Sequence, residues 1–220
     1  PLFLNSLEAK TNMTRLVIIG AGGHGKVVAD TANATNQWSE IVFLDDRYVS
    51  GHMKVAQWSI IGKSHDYSSL LNVNDQVLVG IGDNLTREKL VKQLLEYNCN
   101  IPYLIHPTAY VSPTASIGIG TVIFAQAAVN VDVSIGEACI INTAASIDHD
   151  CILNDFCHIS PGSHLAGGTK IGTRSWMGVG SVTKQLVEIG HDCIVGAGAA
   201  VVQNVYNEST VMGVPARLKS

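Results

Sequence analysis

The chain has 220 residues, with 14 Lys and Arg against 18 Asp and Glu and a formal net charge of −4. That balance, with no basic cluster, argues against a nucleic-acid surface. No apolar run approaches the roughly 18 residues that span a bilayer, so no membrane insertion is expected, and the length admits one or two domains.

Pro1–Asn12 lacks the basic-then-apolar layout of a signal peptide and precedes Met13. Residues 1–13 therefore read as an expression remnant or a processed, disordered end. Arg15–Gly20 is a short apolar strand, followed by Gly20-Ala-Gly22-Gly23-His24-Gly25-Lys26 and a helical pattern to about Thr35. Glu40–Leu44 predicts a second strand ending in Asp45-Asp46. Gln76–Ile81 predicts a third, ending in Gly82-Asp83-Asn84, and Thr86–Asn98 an amphipathic helix. Strands alternating with helices imply a small parallel sheet, an α/β domain over residues 14–105.

Gly20, Gly22 and Gly25 keep the G-x-G-x-x-G spacing between a strand and a helix, and Asp45 follows twenty residues after Gly25. Alone, this pattern points to a dinucleotide and an oxidoreductase. The unit is too short for two mononucleotide halves, however. His24 and Lys26 also add polar, potentially cationic groups that suit a sugar-linked diphosphate at a helix N-terminus. A nucleotide-linked substrate is the preferred expectation; a glycine turn that merely packs helix on strand is the plain structural alternative.

Beyond the Pro102 and Pro107 connection, residues 106–220 carry a six-residue repeat. Stepping by six from Val111 to Val201 gives sixteen positions, of which only Thr183 is not large and aliphatic or Met. Four places after each comes a small residue, such as Ala127, Cys139 or Ser163. Hexapeptide periodicity marks a parallel β-helix, a β-solenoid whose stacked coils share one core. Alternation along a strand turns the first and fifth positions inward and the third and sixth outward. Gly118, Gly136, Gly172, Gly178, Gly190 and Gly196 hold the second position, with Asn130, Asn142, Asp148 and Asn154, which suggests a positive-φ corner there. Three hexads per coil place residue i over i+18.

Cys139, Cys151, Cys157 and Cys193 all fall in the inward small-residue column. They read as core residues in a reducing compartment, which makes the cytoplasm the expected location. His52, His65 and His106 lie in loops or connections. His149 and His191 occupy third positions, His158 and His164 sixth positions, so all four are expected to point outward. Asp148-His149-Asp150-Cys151 and His191-Asp192-Cys193 share one hexad phase, and phase alone does not choose between them. A neighbouring carboxylate raises imidazole basicity and fixes its tautomer, as a general base requires.

The Gly-Gly-His-Gly-Lys loop, the Phe43-Leu44-Asp45-Asp46 strand end, the uninterrupted hexads and the closing Gly213-Val214-Pro215-Ala216 carry a resemblance. The chain resembles the sialic-acid O-acetyltransferase-type sugar acyltransferases, and within them the bacterial nucleotide-linked 4-amino-sugar N-acetyltransferases. The resemblance implies a small Rossmann-like domain joined to a left-handed β-helix, assembled as a homotrimer. It implies that Gly23, His24, Gly25, Asp45, Asp46 and Gly82 bind the nucleotide-linked sugar. It implies that His149 is the catalytic base with Asp150 as its orienting acid, where the family commonly has Glu. Acetyl-CoA contacts map onto His158, Gly167, Val179, Gly196 and Ala197, the last standing where a relative has Gly. No metal is required on this reading.

The implied reaction is acetyl-CoA-dependent N-acetylation of the 4-amino group of a UDP-linked amino-deoxy sugar, for bacterial surface glycan. Attack is direct, because Cys151 points inward and offers no acyl-carrying thiol. Sialic-acid-type O-acetylation, a γ-carbonic-anhydrase-like metal lyase on the same prism, the dehydrogenase and a purely structural prism are the competing expectations.

Overall fold

The computed structural model describes residues 14–219; the expectation for residues 1–13 lies outside them. The first domain contains β1 (Arg15–Ile19), α1 (Gly23–Thr35), β2 (Glu40–Leu44), β3 (Met53–Val55), β4 (Trp58–Gly62), α2 (Tyr67–Leu70), β5 (Gln76–Val79) and α3 (Asn84–Glu96). Its sheet runs β3-β4-β2-β1-β5, parallel apart from the β3–β4 hairpin. Leu16, Val17, Ile18 and Ile19 are all buried, which explains an unbroken apolar run: a central parallel strand is covered on both faces. The hairpin was not expected from the sequence, since its short strands offer little alternation. Helix α3 begins two residues before the predicted Thr86, because the Asp83 carboxylate caps it by accepting the Thr86 N–H at 2.8 Å.

The second domain is a left-handed parallel β-helix. Its two-residue strands pair at the expected spacing of one coil: Val129 with Ile147, Ile135 with Leu153, Ile141 with Ile159. Three sheets form the faces of the prism. The first coil opens at Leu104–Ile105, which pairs with Val122–Ile123, just ahead of the predicted boundary. The inward columns are buried as expected, with all four prism cysteines free thiols. Thr183, the one polar residue in the aliphatic column, shares a 2.9 Å hydrogen bond with Thr169 and accepts the Ala166 N–H at 3.0 Å.

The corner differs from the expectation. Positive φ falls on the fourth residue of the hexads, among them Gln126, Asp132, Asp150, Arg174 and Asp192, and on none of the second-position residues. The second-position glycines answer to space instead. A Cβ on Gly118 would lie 2.4 Å from the Gly136 carbonyl oxygen, and one on Gly172 2.4 Å from the Gly190 carbonyl carbon. Coils approach too closely there for any side chain.

One face of the prism carries the first domain. Val122, Phe124, Ala138, Ile140 and Phe156 belong to the same apolar cluster as β1, β2 and β5. Arg87 of α3 pins the junction: only 1% exposed, it donates to the carbonyls of Ala138 (2.7 Å), Phe156 (2.8 Å) and Gly82 (3.0 Å). Burial lowers its pKa to about 10, so it remains charged at neutral pH, solvated by carbonyl dipoles in place of water.

Candidate active site

The glycines of the first domain divide into two groups. Gly25 and Gly80 are demanded by packing, since a Cβ would meet the Gly20 carbonyl oxygen at 1.9 and 2.8 Å. Gly22, Gly23 and Gly82 face open space, with nothing within 4 Å of an added Cβ and no positive φ. Gly22 also caps α1, and all three leave bare main chain that a ligand could approach closely. They line a cleft of about 510 Å³ with His24, Asp45, Asp46, Arg47 and Ser64, a volume within the roughly 300–1,000 Å³ of small-ligand sites.

Asp45 is buried, and its carboxylate is fully engaged. One oxygen accepts the Ala21 N–H at 2.7 Å and Arg47 Nη2 at 3.0 Å; the other accepts the Arg47 N–H at 3.1 Å and Nε at 2.6 Å. These four bonds fill the lone-pair sites of a carboxylate and, with Arg47 first, hold its pKa down to about 2. Asp45 therefore organises the glycine turn. Asp46 is the freer of the two acids, accepting among the described residues only the Ser64 N–H at 3.1 Å.

Two histidines are not where the sequence suggested. His24 does not add positive charge to the loop: it packs edge-on to Phe124, with ring centroids 5.5 Å apart. Burial, aided by Arg87, lowers its pKa to about 4. His158 does leave its own coil, yet it is buried beneath the first domain. It stacks on Trp176 at 5.4 Å and lies 6.4 Å from His24. Burial drives its pKa to about 3. Among the described residues, neither His24 Nε2 nor His158 Nδ1, both buried at the domain junction, has a partner at full hydrogen-bond geometry.

His149 behaves otherwise. The fourth-position corner at Asp150 (φ 60°) turns two consecutive side chains onto one edge, and His149 Nδ1 meets Asp150 Oδ2 at 2.7 Å. With Nδ1–H donating to that carboxylate, Nε2 is left as the free acceptor. The Asp150 hydrogen bond, then the Asp148 charge, raises the His149 pKa. Gly167, one coil on, makes room for the ring: a Cβ there would lie 2.6 Å from both Cε1 and Nε2. Cys151 beneath is no nucleophile, because burial lifts its thiol to about 11.

The predicted acetyl-CoA residues do not gather in one place. Gly167 lies beside His149, whereas Val179 and Ala197 are exposed on a different corner, where Gly198 N–H donates to the Val179 carbonyl at 2.8 Å. Gly196 packs against Met212. The His149 corner joins the faces carrying Ser146–Ile147 and Ile152–Leu153, and so stands opposite the His158–Ile159 face that holds the first domain. Sequence reasoning missed Arg47, Arg87 and Trp176. Among the described residues, no His, Cys, Asp and Glu cluster has a metal-binding arrangement, and no helix is long and apolar enough to cross a membrane.

A family model described as the PglD N-terminal domain matches residues 15–94. The chain is 35% identical over 113 residues to a UDP-N-acetylbacillosamine N-acetyltransferase of Bacillus subtilis, covering 51% of this chain and 52% of that protein. It thus spans about half the length of the curated relative it matches. The acetyltransferase domain of PglB from Neisseria gonorrhoeae, in complex with acetyl coenzyme A, is 41% identical with a TM-score of 0.91, over 94% of this chain and 100% of that one. PerB from Caulobacter crescentus, in complex with CoA and GDP-perosamine, is 38% identical with a TM-score of 0.86, over 93% and 97%.

Proposed function

The chain belongs to the hexapeptide-repeat nucleotide-sugar N-acetyltransferases, and from that premise we propose that it transfers the acetyl group of acetyl-CoA to the 4-amino group of a UDP-linked amino-deoxy sugar. The observation that carries the reading is His149: its Nδ1 is committed to Asp150 and its Nε2 is free at an exposed edge. A sugar amine is largely protonated near neutral pH and must lose a proton before it attacks a thioester carbonyl. Nε2 takes that proton, and Asp150 stabilises the imidazolium that results. The amine adds directly to the acetyl carbon and CoA leaves as its thiol. With the Cys151 thiol buried and lifted to about 11, no acyl-enzyme is invoked.

The glycine cleft holds the nucleotide part, with Gly22, Gly23 and Gly82 as bare backbone, Asp46 as a ribose or base acceptor and Asp45 supporting the turn. His24 and His158 meet at the junction between that cleft and the prism, and Gly25 lets α1 pack closely on the glycine turn that would hold the diphosphate. Gly167, Val179, Gly196 and Ala197 are the groups offered to acetyl-CoA.

The layout supports a homotrimer. In one chain, His149 stands on the corner opposite the face that carries the nucleotide cleft, so base and sugar meet when a neighbouring chain brings its cleft alongside. Three heterologous contacts close such a ring and shield the reacting groups from water. The proposed location is the cytoplasm, a reading that four buried free thiols in the prism support. The test is thiol release from acetyl-CoA across UDP- and GDP-linked amino sugars and their hydroxy counterparts. Turnover confined to the hydroxy sugars would overturn N-acetylation in favour of the O-acetyl reading.

A further inference from the structure

Among the described residues, Arg47 is the one cationic side chain lining the glycine cleft. His24, the other candidate, is held neutral by burial. The guanidinium is fixed from behind: Nε and Nη2 donate to Asp45 at 2.6 and 3.0 Å, and Nη2 also donates to the Ala21 carbonyl at 2.9 Å. Among the described residues Nη1 has no partner, although a guanidinium offers five N–H groups, and 65% of the side chain is exposed. A surface arginine normally loses rotamer freedom to make an ion pair of small net value. Here the pair does something more specific. The buried carboxylate of Asp45 locks a planar cation at the cleft mouth, with two spare N–H donors on its outer edge.

Charge decides what those donors are for. Asp45 and Asp46 place two carboxylates at the cleft, and Arg47 offsets one of them. A diphosphate approaching the bare glycines would meet a negative wall without that cation. With it, the nearest charge is positive and its donors match phosphate oxygens.

We propose that Arg47 is the diphosphate-recognition residue of this enzyme, taking the phosphates through Nη1 while Asp45 and the Ala21 carbonyl fix its plane. The proposal rests on the nucleotide-sugar reading of the cleft. It adds a role for Asp45 as well, that of a positioning residue acting through Arg47.

The test is calorimetric titration of UDP, GDP, uridine and guanosine into the full chain and its Arg47→Gln and Arg47→Lys variants. Arg47→Gln is expected to weaken diphosphate binding about 10- to 100-fold and to leave the matching nucleoside within about twofold. Arg47→Lys keeps the charge without the fork and should recover part of the loss. Diphosphate binding to the wild type should also weaken with salt more steeply than binding to the Gln variant. Parallel losses for nucleoside and diphosphate would overturn the proposal, reducing Arg47 to a support for the turn. So would an unchanged diphosphate affinity. Absence of any diphosphate binding by the wild type would overturn the nucleotide-sugar reading along with it, and that outcome is distinct from the other two.

Discussion

Two corners of the prism carry the same device and put it to different uses. His149 and His191 each precede an aspartate in a left-handed corner conformation. Each donates its Nδ1–H to that aspartate, at 2.7 and 2.8 Å. The difference lies in the third partner. Among the described residues Asp150 has no cationic partner but His149, so its charge acts on the imidazole. Asp192 is gripped by Arg174 through two bonds of 2.6 Å, and Arg174 reaches Glu88 of α3 at 3.0 Å. One carboxylate serves an exposed imidazole, the base of the proposed reaction; the other ties the first domain to the prism. A His–Asp contact is thus no guide to catalysis until the rest of the carboxylate's bonds are counted.

The largest expected effect separates the two histidines directly. His149→Ala should lower kcat by about 10²–10⁴-fold, the usual loss of a general base, with KM for acetyl-CoA nearly unchanged. His191→Ala should keep kcat within about twofold. Equal damage from both, measured by steady-state thiol release, would remove the distinction on which the assignment rests.

A second contrast concerns room for the ring. Above His149 stands Gly167, whose absent Cβ would collide with Nε2; above the His191 backbone stands Asn207, whose side chain accepts the His191 N–H at 3.0 Å. Gly167 has no positive φ, so alanine suits its backbone and the conflict falls on the imidazole alone. Gly167→Ala should cost about 10²-fold in kcat, the scale of a displacement near 1 Å in a reacting group. Melting temperature should stay close to wild type. A variant with full kcat would show that the ring has no fixed place.

Much of this was legible from the sequence, and the reasons for the rest are physical. A repeat of six writes its own register, so the inward columns, the coil length and the outward set of His149 and His191 could be read directly. The corner could not, because glycine at the second position serves close coil contact, while the left-handed fourth position accepts Gln, Asp, Arg and Leu. His24 and His158 read as polar and exposed, since nothing in a periodic pattern reveals which face a second domain will cover. Arg87 and Arg174 were invisible for a related reason: their partners lie 51 and 86 residues away in the chain.

The base should also declare itself in pH dependence. The hydrogen bond from Asp150 raises the His149 pKa above its ordinary value, and only the neutral ring accepts a proton. The rate therefore rises with pH through that raised pKa. Asp150→Asn removes the chief cause, so the rising limb of kcat/KM should move to lower pH while the plateau falls by about tenfold, the lower end of what misoriented acid–base groups cost. The matching Asp192→Asn change should leave the limb in place. A limb that stays put in Asp150→Asn assigns the ionisation to another group.

The smallest effect tests the structural half of the comparison. Arg174→Met removes the guanidinium between Asp192 and Glu88 and retains an apolar stem over the same surface. Loss of a charged, partly exposed network should cost about 1–2 kcal/mol, or about 2–8 °C in melting temperature for a chain of this size, with kcat unaltered. Its pH dependence has a definite sign. Arg174, ahead of His191, holds the Asp192 pKa down to about 2 from 3.8. That stabilisation is present above the ordinary carboxylate value and is lost as pH falls through the lower one. The gap in melting temperature between wild type and Arg174→Met should therefore be full at neutral pH and close between about pH 4 and 2. A gap that persists in acid means the arginine acts through packing and leaves Asp192 free to serve His191, in which case the two corners differ less than their bonding suggests.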